Sequence, residues 1–547
     1  MHSKLMDIPK EIIAIGDVLQ KAGYKAYLVG GCVRDILIGA VPPKEGEPRP
    51  PRRDESRPGL RREPKDWDVT TDAKPEEIQK IFATFGSGTA EKPATVYENN
   101  FGTVGIKTDS EDPKLKIVEV TTFRLEGKYT DKRHPDEIKF AKTVEEDLSR
   151  RDFTINAIAI SFSQGKPSTR VARSGNKLLV PEPACPVGRL VEGRLIDPFG
   201  GQDDLAKKII RTVGNPDDRF TEDALRLMRA VRFAAQLGFV IEKETAAAIT
   251  KHAGLLEMIS KERVRDELVK MLMTDNAVQG VEDMRVFGLL RYVLPELQDG
   301  VGVGQNKHHI YSVYEHNLRS LKYAVEKNFP LDLRITALLH DVGKPATKHG
   351  EGENCTFYGH QVVGERMAIA ILDRLHFPRQ LIEKVALLIR EHMFVYDPES
   401  VTLAGVRRII RRVGAENVDA LILVREADRI GSGVPKAQPY RLRYLKAMIE
   451  KVQKDPIHPK MLVLKGDDVM RILNIPAGPK IGKVLAALLE EALEHPELNE
   501  TAVLEKRVRE LGELSEKELD AIAAKAKKSA ANAQERIDAE IKKKYFV

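Results

Sequence analysis

The chain reads as α+β, a small head in which strands and helices mix, followed by a long all-α body. Three observations lead there. Short runs rich in β-branched residues, "KAYLVGG", "DWDVTT", "FGTVGIK" and "KIVEVTTF", all fall before residue 125. From about residue 198, apolar residues recur at helical spacing almost to the end. And 547 residues are too many for one core, so three or four domains are expected.

The elements follow in order. "PKEIIAIGDVLQKAG" has a helical apolar face and stops at a glycine. "KAYLVGG" is a short buried strand running into a glycine turn, and "CVRDILIG" starts a helix. Residues 41–64 are rich in Pro and Arg and almost free of large apolar side chains. Such a segment cannot bury enough surface to fold, so it reads as a flexible insertion, either a solvated linker or an arm that touches RNA. The next three strand-like runs join the first in one mixed sheet. Residues 163–190 read as a second surface excursion. The last segment, "EKELDAIAAKAKKSAANAQERIDAEIKKKYFV", is a basic helix with a weak apolar face, solvated or partner-seeking.

Bulk composition excludes several classes. Three scattered cysteines (Cys32, Cys185, Cys355), with no CxxC, imply neither a disulfide framework nor a cysteine zinc site. No run of 18 apolar residues occurs, and the first twenty residues lack an apolar leader core. A cytoplasmic protein with no membrane partner is therefore expected. A net charge of +6 is compatible with a polyanionic partner without demanding one.

The chemistry begins at "KDWDVTT". In a strand, residues i and i+2 face one side, so Asp66 and Asp68 would present two carboxylates together. Magnesium takes such hard oxygens and leaves its other positions to water and phosphate. Alone, the pair is equally an ordinary strand edge. Gly30 and Gly31 lie between a strand and a helix, followed by Arg34. That is a structural turn, or a place where backbone N–H groups and a guanidinium meet phosphate. "SRRDFTINAIAI" sets Arg150, Arg151 and Asp152 before an apolar segment. Two arginines suit a triphosphate, and Asp152 and Asn156 suit a ribose; a helix cap with surface arginines is the plainer alternative.

Further on, "RFTEDALRLMRAVRFAAQLGF" reads as one helix with Thr221 as its N-cap. Asp223 and Arg226 are three apart and share a face. They form a helix salt bridge, or both point into a nucleotide pocket. There a carboxylate would accept from an exocyclic amine and a guanidinium would donate to the ring, as C and A require.

Taken together, "YLVGGCVRDIL", "PKDWDVTT", "VEVTTFR" and "EEDLSRRDFTINAIAI", in this order and spacing, resemble the class II template-independent nucleotidyltransferases. These are the tRNA CCA-adding enzymes and bacterial poly(A) polymerases, and the resemblance covers the chain outside the two head excursions. It implies a polymerase-β-like head in which Asp66 and Asp68 hold Mg2+, with Glu119 a candidate third carboxylate. Gly30, Gly31 and Arg34 would then contact the triphosphate, and Arg151, Asp152 and Asn156 the sugar and phosphates. Asp223 and Arg226 take the base-reading role, Glu222 supports them, and Arg229 meets a phosphate. "FRLEGKYTDKRHPDEIKF", residues 123–140, resembles at full length the flexible loop of the enzymes that add the terminal A.

"ITALLHDVGKPAT" places His340 next to Asp341 at the end of an apolar helix, and resembles the HD phosphohydrolase superfamily. The resemblance implies a divalent transition metal on His316, His340, Asp341 and Asp428, with His360 and His392 completing a two-metal site. Lys344 is expected to contact phosphate. "GVGVG" at 300–304 follows no strand and reads as a linker, and His308 and His309 as structural or solvent-facing. In the tail, "LKGDDVMRILNIPAGPKIGKVLAALLEEAL" is a helix, a Pro/Gly turn and a helix. The turn either packs the helices or offers amides to RNA.

The domain expectation is a head over 1–196, a neck and body over 197–300, an HD domain over 301–435 and a helical tail over 436–547. The expected function is addition of CCA to the tRNA 3′ end from CTP and ATP, with an HD phosphohydrolase activity beside it. The alternatives are a poly(A) polymerase, or an HD phosphohydrolase whose head only binds RNA. Intact Asp66 and Asp68 argue against the last. The sequence does not indicate an oligomeric state.

Overall fold

The computed structural model describes residues 8–40, 64, 66–83, 85, 95–98, 102–126, 138–162, 194–306, 310–453, 462–494, 499–515, 517–519, 521–522 and 539–547. Nearly all of the two head excursions, the tip of the 123–140 loop, Cys185, His308 and His309 lie outside these residues. The chain divides into two units, Met1–Ala386 and Leu387–Val547.

The strands of the first unit are β1 (Ala26–Val29), β2 (Asp68–Thr71), β3 (Thr95–Glu98), β4 (Thr103–Lys107), β5 (Ile117–Thr122), β6 (Arg124–Glu126), β7 (Ile138–Phe140), β8 (Ala159–Ser161) and β9 (Leu195–Ile196). Seven of them build one mixed sheet in the order β3-β4-β5-β2-β1-β8-β9. The four runs expected as strands all belong to it. β1 and β2 are antiparallel with Val29 opposite Asp68, and β2 and β5 are parallel with Asp68 opposite Glu119. β6 and β7 pair at the base of the 123–140 loop.

Pleating decides what each face carries. Val118, Val120 and Thr122 of β5 are buried, while Glu119 between them is exposed. Val69 of β2 is fully buried. The helices α1 (Lys10–Lys21) and α3 (Pro75–Ile81) supply Ile12, Ile15, Leu19 and Ile78 to the core, all at 0% exposure. α2 (Gly31–Ala40) follows β1 directly, and α4 (Val144–Ser149) is capped by Thr143, which accepts from Glu146 N–H at 3.3 Å. Leu148 of α4, with Phe123, Ala157 and Ala159, forms a second small core beside β1.

Helices then take over: α5 (Gly201–Lys207), α6 (Pro216–Glu222), α7 (Leu225–Leu237), α8 (Lys243–His252), α9 (Lys261–Leu272), α10 (Ala277–Val286), α11 (Leu290–Val293), α12 (Pro295–Gln298), α13 (Val313–Glu326), α14 (Leu331–Leu339), α15 (Lys344–Thr347), α16 (His360–Arg374) and α17 (Arg379–Glu391). α7 packs on α9 and α10, and α13 on α14. The single helix expected over 219–239 is two. Asp223 is extended (φ −133°, ψ 104°) and separates α6 from α7. Its carboxylate accepts the Leu225 N–H at 3.0 Å, the local competition by which Asp interrupts helices. Thr221 is no N-cap; its hydroxyl donates back to the Asp217 carbonyl inside α6.

In the second unit lie α18 (Leu403–Val413), α19 (Val418–Gly431), α20 (Tyr440–Gln453), α21 (Gly466–Leu473), α22 (Pro479–Glu494) and α23 (Thr501–Gly512). The expected helix–turn–helix of the tail is α21–α22, closed with α23 around a core that includes Val469, Val484, Leu488 and Val508. At the turn, Lys480 Nζ donates to the Gly512 carbonyl at 2.7 Å, so this lysine ties helices together. No helix of the described residues is long and apolar enough to cross a membrane.

Gly201 opens α5 where a Cβ would stand 2.2 Å from the Thr154 carbonyl oxygen. Gly201→Ala should therefore cost about 1–3 kcal/mol, read as a lower thermal midpoint. Gly482→Ala, in open space on α22, should be neutral or slightly stabilising.

Candidate functional sites

In the first site, the open face of the sheet sets Asp68 beside Glu119, because parallel partners in register project to the same side. Asp68 is half-buried and Glu119 exposed. Asp66 lies in an exposed bend just before the strand, so strand alternation does not aim it as expected. Burial raises the Asp68 pKa, Arg151 opposes this, and the Glu119 and Asp66 charges add to it. Asp68 and Glu119 are thus two hard oxygen donors side by side, of the kind a divalent cation takes, with the Asp66 charge acting on Asp68.

Gly30 and Arg151 explain one another. Gly30 has φ +77°, and a Cβ there would lie 2.7 Å from Arg151 Nη1 and 3.5 Å from Asp68 Oδ2. Only glycine lets the guanidinium approach this closely. Gly31 opens α2, one turn before Arg34. Asp147, which the sequence reading overlooked, anchors both arginines: it is 0% exposed, 2.9 Å from Arg150 Nε and 3.8 Å from Arg151 Nη2. Its spacing of three and four from "RR" was the available signal.

A chain of hydrogen bonds leads from α2 into the helical body. Arg34 Nε donates to Asp35 Oδ1 at 2.8 Å, and Arg34 Nη1 to Asn156 Oδ1 at 2.8 Å. Asn156 Nδ2 donates to Asp152 Oδ1 at 3.2 Å. Asp152 Oδ2 then accepts from Arg229 Nε at 2.8 Å and Nη2 at 2.5 Å. Burial disfavours the Asp152 charge, but the Arg229 guanidinium and Asn156 outweigh it and hold the carboxyl at about 2. Phe233 of α7 lies under the guanidiniums of Arg34, Arg229 and Arg232, at 5.3, 5.3 and 3.8 Å from the ring centroid. Arg232 is ion-paired with buried Glu267 of α9.

The Arg226 backbone N–H donates to the Asp223 carbonyl at 3.0 Å, while the two side chains have other partners. Arg226 is buried and donates to Glu222 Oε2 at 2.5 Å and to the carbonyls of Arg219 and Arg150, at 3.1 and 3.2 Å. Asp223 Oδ2 accepts from Arg263 Nη2 of α9 at 2.8 Å. The chain breaks between the two residues, and each side chain is held by partners beyond the pair that the spacing suggested. Glu222 is bonded to Arg226, and Arg263 carried no local signal. Arg229 faces Asp152 rather than open space.

The second site belongs to the HD stretch. His316 on α13, His340 and Asp341 after α14, and His360 opening α16 are all buried. His316 Nε2 lies 2.9 Å from His340 Nε2 and 3.1 Å from Asp341 Oδ2, and His360 Nε2 lies 3.4 Å from Asp341 Oδ1. The Nδ1–H of His340 donates to the Ala337 carbonyl at 3.0 Å and that of His360 to Phe357 at 2.8 Å. These bonds select the tautomer whose Nε2 lone pair faces the cluster. Burial pushes His360 toward the neutral form. Burial opposes ionisation of Asp341, but Lys344, His340 and His316 hold it well below the usual carboxylate range. His316, His340 and Asp341 place one ligand atom each within 4.8 Å of one another, a donor set suited to a transition metal.

Lys344, expected at a phosphate, is buried between Asp341 Oδ2 at 2.6 Å and Gln305 Oε1 at 2.7 Å. His392 and Asp428 lie in the second unit. His392 is buried with Nδ1 2.6 Å from the Ile389 carbonyl, and Asp428 of α19 pairs with Arg425 at 2.5 Å.

Three family models match the chain. Residues 53–172 match the poly A polymerase head domain, 238–300 the "probable RNA and SrmB-binding site of polymerase A", and 313–432 the HD domain. The A-adding tRNA nucleotidyltransferase of Deinococcus radiodurans is 33% identical over 367 residues, 65% of this chain and 76% of that protein. The CCA-adding enzyme of Limosilactobacillus reuteri is 37% identical over 293 residues, 53% of this chain and 56% of that enzyme. The alignment thus spans little more than half of that CCA-adding enzyme. The crystal structure of the Bacillus stearothermophilus CCA-adding enzyme in complex with CTP has a TM-score of 0.50 and 26% identity, covering 92% of this chain and 96% of that one.

The Asp152–Arg229 pair makes a pH-dependent contribution to stability. An Asp held near 2 rather than 3.8 stabilises the fold by about 2 kcal/mol above pH ~4. That contribution is lost as pH falls through ~2. The stability gap between wild type and Asp152→Asn should be full at pH 6 and shrink by pH 2.5, as measured by denaturant midpoints at each pH.

Proposed function

The chain belongs to the class II nucleotidyltransferase family of CCA-adding enzymes and bacterial poly(A) polymerases, with an attached HD domain, and from that premise we propose that it adds CCA to the 3′ end of tRNA from CTP and ATP. The observation that carries this reading is the continuous bond chain from Arg34 through Asn156 and Asp152 to Arg229. It joins α2, the helix that follows the glycine turn after β1, to α7, the helix bearing Arg226.

Both domain types imply dependence on divalent metal. In the head, Asp66, Asp68 and Glu119 would hold Mg2+, which when bound lowers the barrier to attack of the RNA 3′-hydroxyl on the α-phosphate. The chain's own residues do the rest. Gly30 and Gly31 let the triphosphate approach the backbone, and Arg34 and Arg151 balance its charge as pyrophosphate leaves. Asp152 and Asn156 meet the ribose. Arg226, fixed by Glu222 and two carbonyls, donates to the base, and Asp223, fixed by Arg263, accepts from its amino group. That pattern fits C and A and leaves U and G with unpaired buried groups. Arg229 bonds Asp152 and orients it, and its exposed remainder is available to a phosphate.

The same reading assigns 1–196 to the head, 197–300 to the neck and body, 301–435 to the HD domain and 436–547 to an RNA-binding tail, in a cytoplasmic protein. His316, His340, Asp341 and His360 would hold a divalent transition metal supporting phosphohydrolysis. A second reading, addition of A alone, is favoured by the likeness to the D. radiodurans protein over 76% of its length.

One assay separates the readings. Purified protein with Mg2+ receives tRNA transcripts ending at the discriminator base or at CC. Two additions with CTP and three with both nucleotides on the first transcript are expected. Extension only of the CC-ended transcript by one A means A addition, and a long ladder with ATP alone means poly(A) synthesis. Asp68→Ala should lower nucleotide addition at least ~10^3-fold and leave phosphohydrolysis intact. Asp341→Ala should do the reverse. Addition that survives Asp68→Ala would refute the head assignment.

A further inference from the structure

α18, "LAGVRRIIRRV", concentrates like charge that neither candidate site uses. Val406 and Val413 are 1% and 2% exposed and turn the apolar side inward. Arg407, Arg408, Arg411 and Arg412 are all exposed. They form two rows, 407/411 and 408/412, each spaced by about 6 Å along the axis. The helix holds no acidic residue. Like charges four apart cost a helix about 0.2–0.5 kcal/mol per pair. The helix dipole favours Arg411 and Arg412 in the last turn but gives no such support to Arg407 and Arg408. Arg412 is paired with Glu391 at 2.8 Å, with its side chain 57% exposed, a contact of little worth in water.

We infer that α18 is a docking ridge for the phosphodiester backbone of structured RNA. A backbone strand is a line of evenly spaced anions, and two rows of guanidiniums at fixed spacing match it, each able to bind phosphate with two N–H groups. A protein partner would call for apolar or aromatic anchors, and a membrane surface for an exposed apolar face. α18 offers neither, since its valines are buried and Ile409 and Ile410 half-buried. The ridge rests on the proposed reading that the substrate is an RNA. It deepens that reading by giving the HD stretch a share in holding the RNA.

The test uses the full chain and a tRNA transcript without nucleotide. Binding is measured across a salt series for wild type, for the quadruple Arg→Ala variant at 407, 408, 411 and 412, and for the quadruple Arg→Lys variant. The alanine variant should bind at least about tenfold more weakly at low salt and lose roughly 3 from the slope of log K against log salt. In extension assays its KM for RNA should rise while kcat stays. The lysine variant should keep the slope. Alanine is the stronger helix former, so folding is preserved, which circular dichroism checks. Equal affinity and slope for wild type and the alanine variant would overturn the ridge while leaving the nucleotidyltransferase reading standing. A wild-type chain that does not bind the transcript overturns both.

Discussion

The salt bridge between Asp152 and Arg229 is the contact on which the head site depends. It joins a residue beside the sheet to a helix 77 positions later, and two N–H groups of the arginine fall on one carboxylate oxygen. Asn156 takes the other oxygen and passes the constraint to Arg34. The Phe233 ring lies within cation–π distance of three guanidiniums. Side chains expected at phosphate and sugar are thereby held by one network, and little reorganisation remains when a nucleotide arrives.

The same economy governs the base-reading pair. Asp223 and Arg226 are three apart, yet each is fixed by someone else. Glu222 and two carbonyls hold Arg226, and α9 reaches in with Arg263 to hold Asp223. A direct pair would have quenched both groups. The break between α6 and α7 gives them separate partners, and the Asp223 carboxylate helps make the break by bonding the Leu225 amide. In the HD stretch, backbone carbonyls orient the His340 and His360 rings, while Lys344 keeps Asp341 ionised where burial alone would neutralise it.

Several features were legible before any coordinates. The mixed sheet followed from β-branched runs bounded by glycine, and the helical body from its apolar period. Asp68, Gly30 and Arg34 stand where their local pattern put them, because a strand, a tight turn and a helix start are set by nearby residues. Asp66 departed because the strand begins two residues later than its β-branched context suggested. The long neck helix departed because periodicity does not register an aspartate that ends one helix and bonds the first amide of the next.

By itself, the sequence determined which chemistries were present: carboxylates at a strand, arginines before an apolar segment, an HD pair after an apolar helix. Those are local matters, fixed by short-range periodicity and by side-chain type. Only the tertiary structure decided the partners. Arg229 on Asp152, Arg263 on Asp223 and Gln305 on Lys344 each join positions at least 39 residues apart. Buried charges must find compensation wherever the packed chain brings it, and no spacing rule reaches that far.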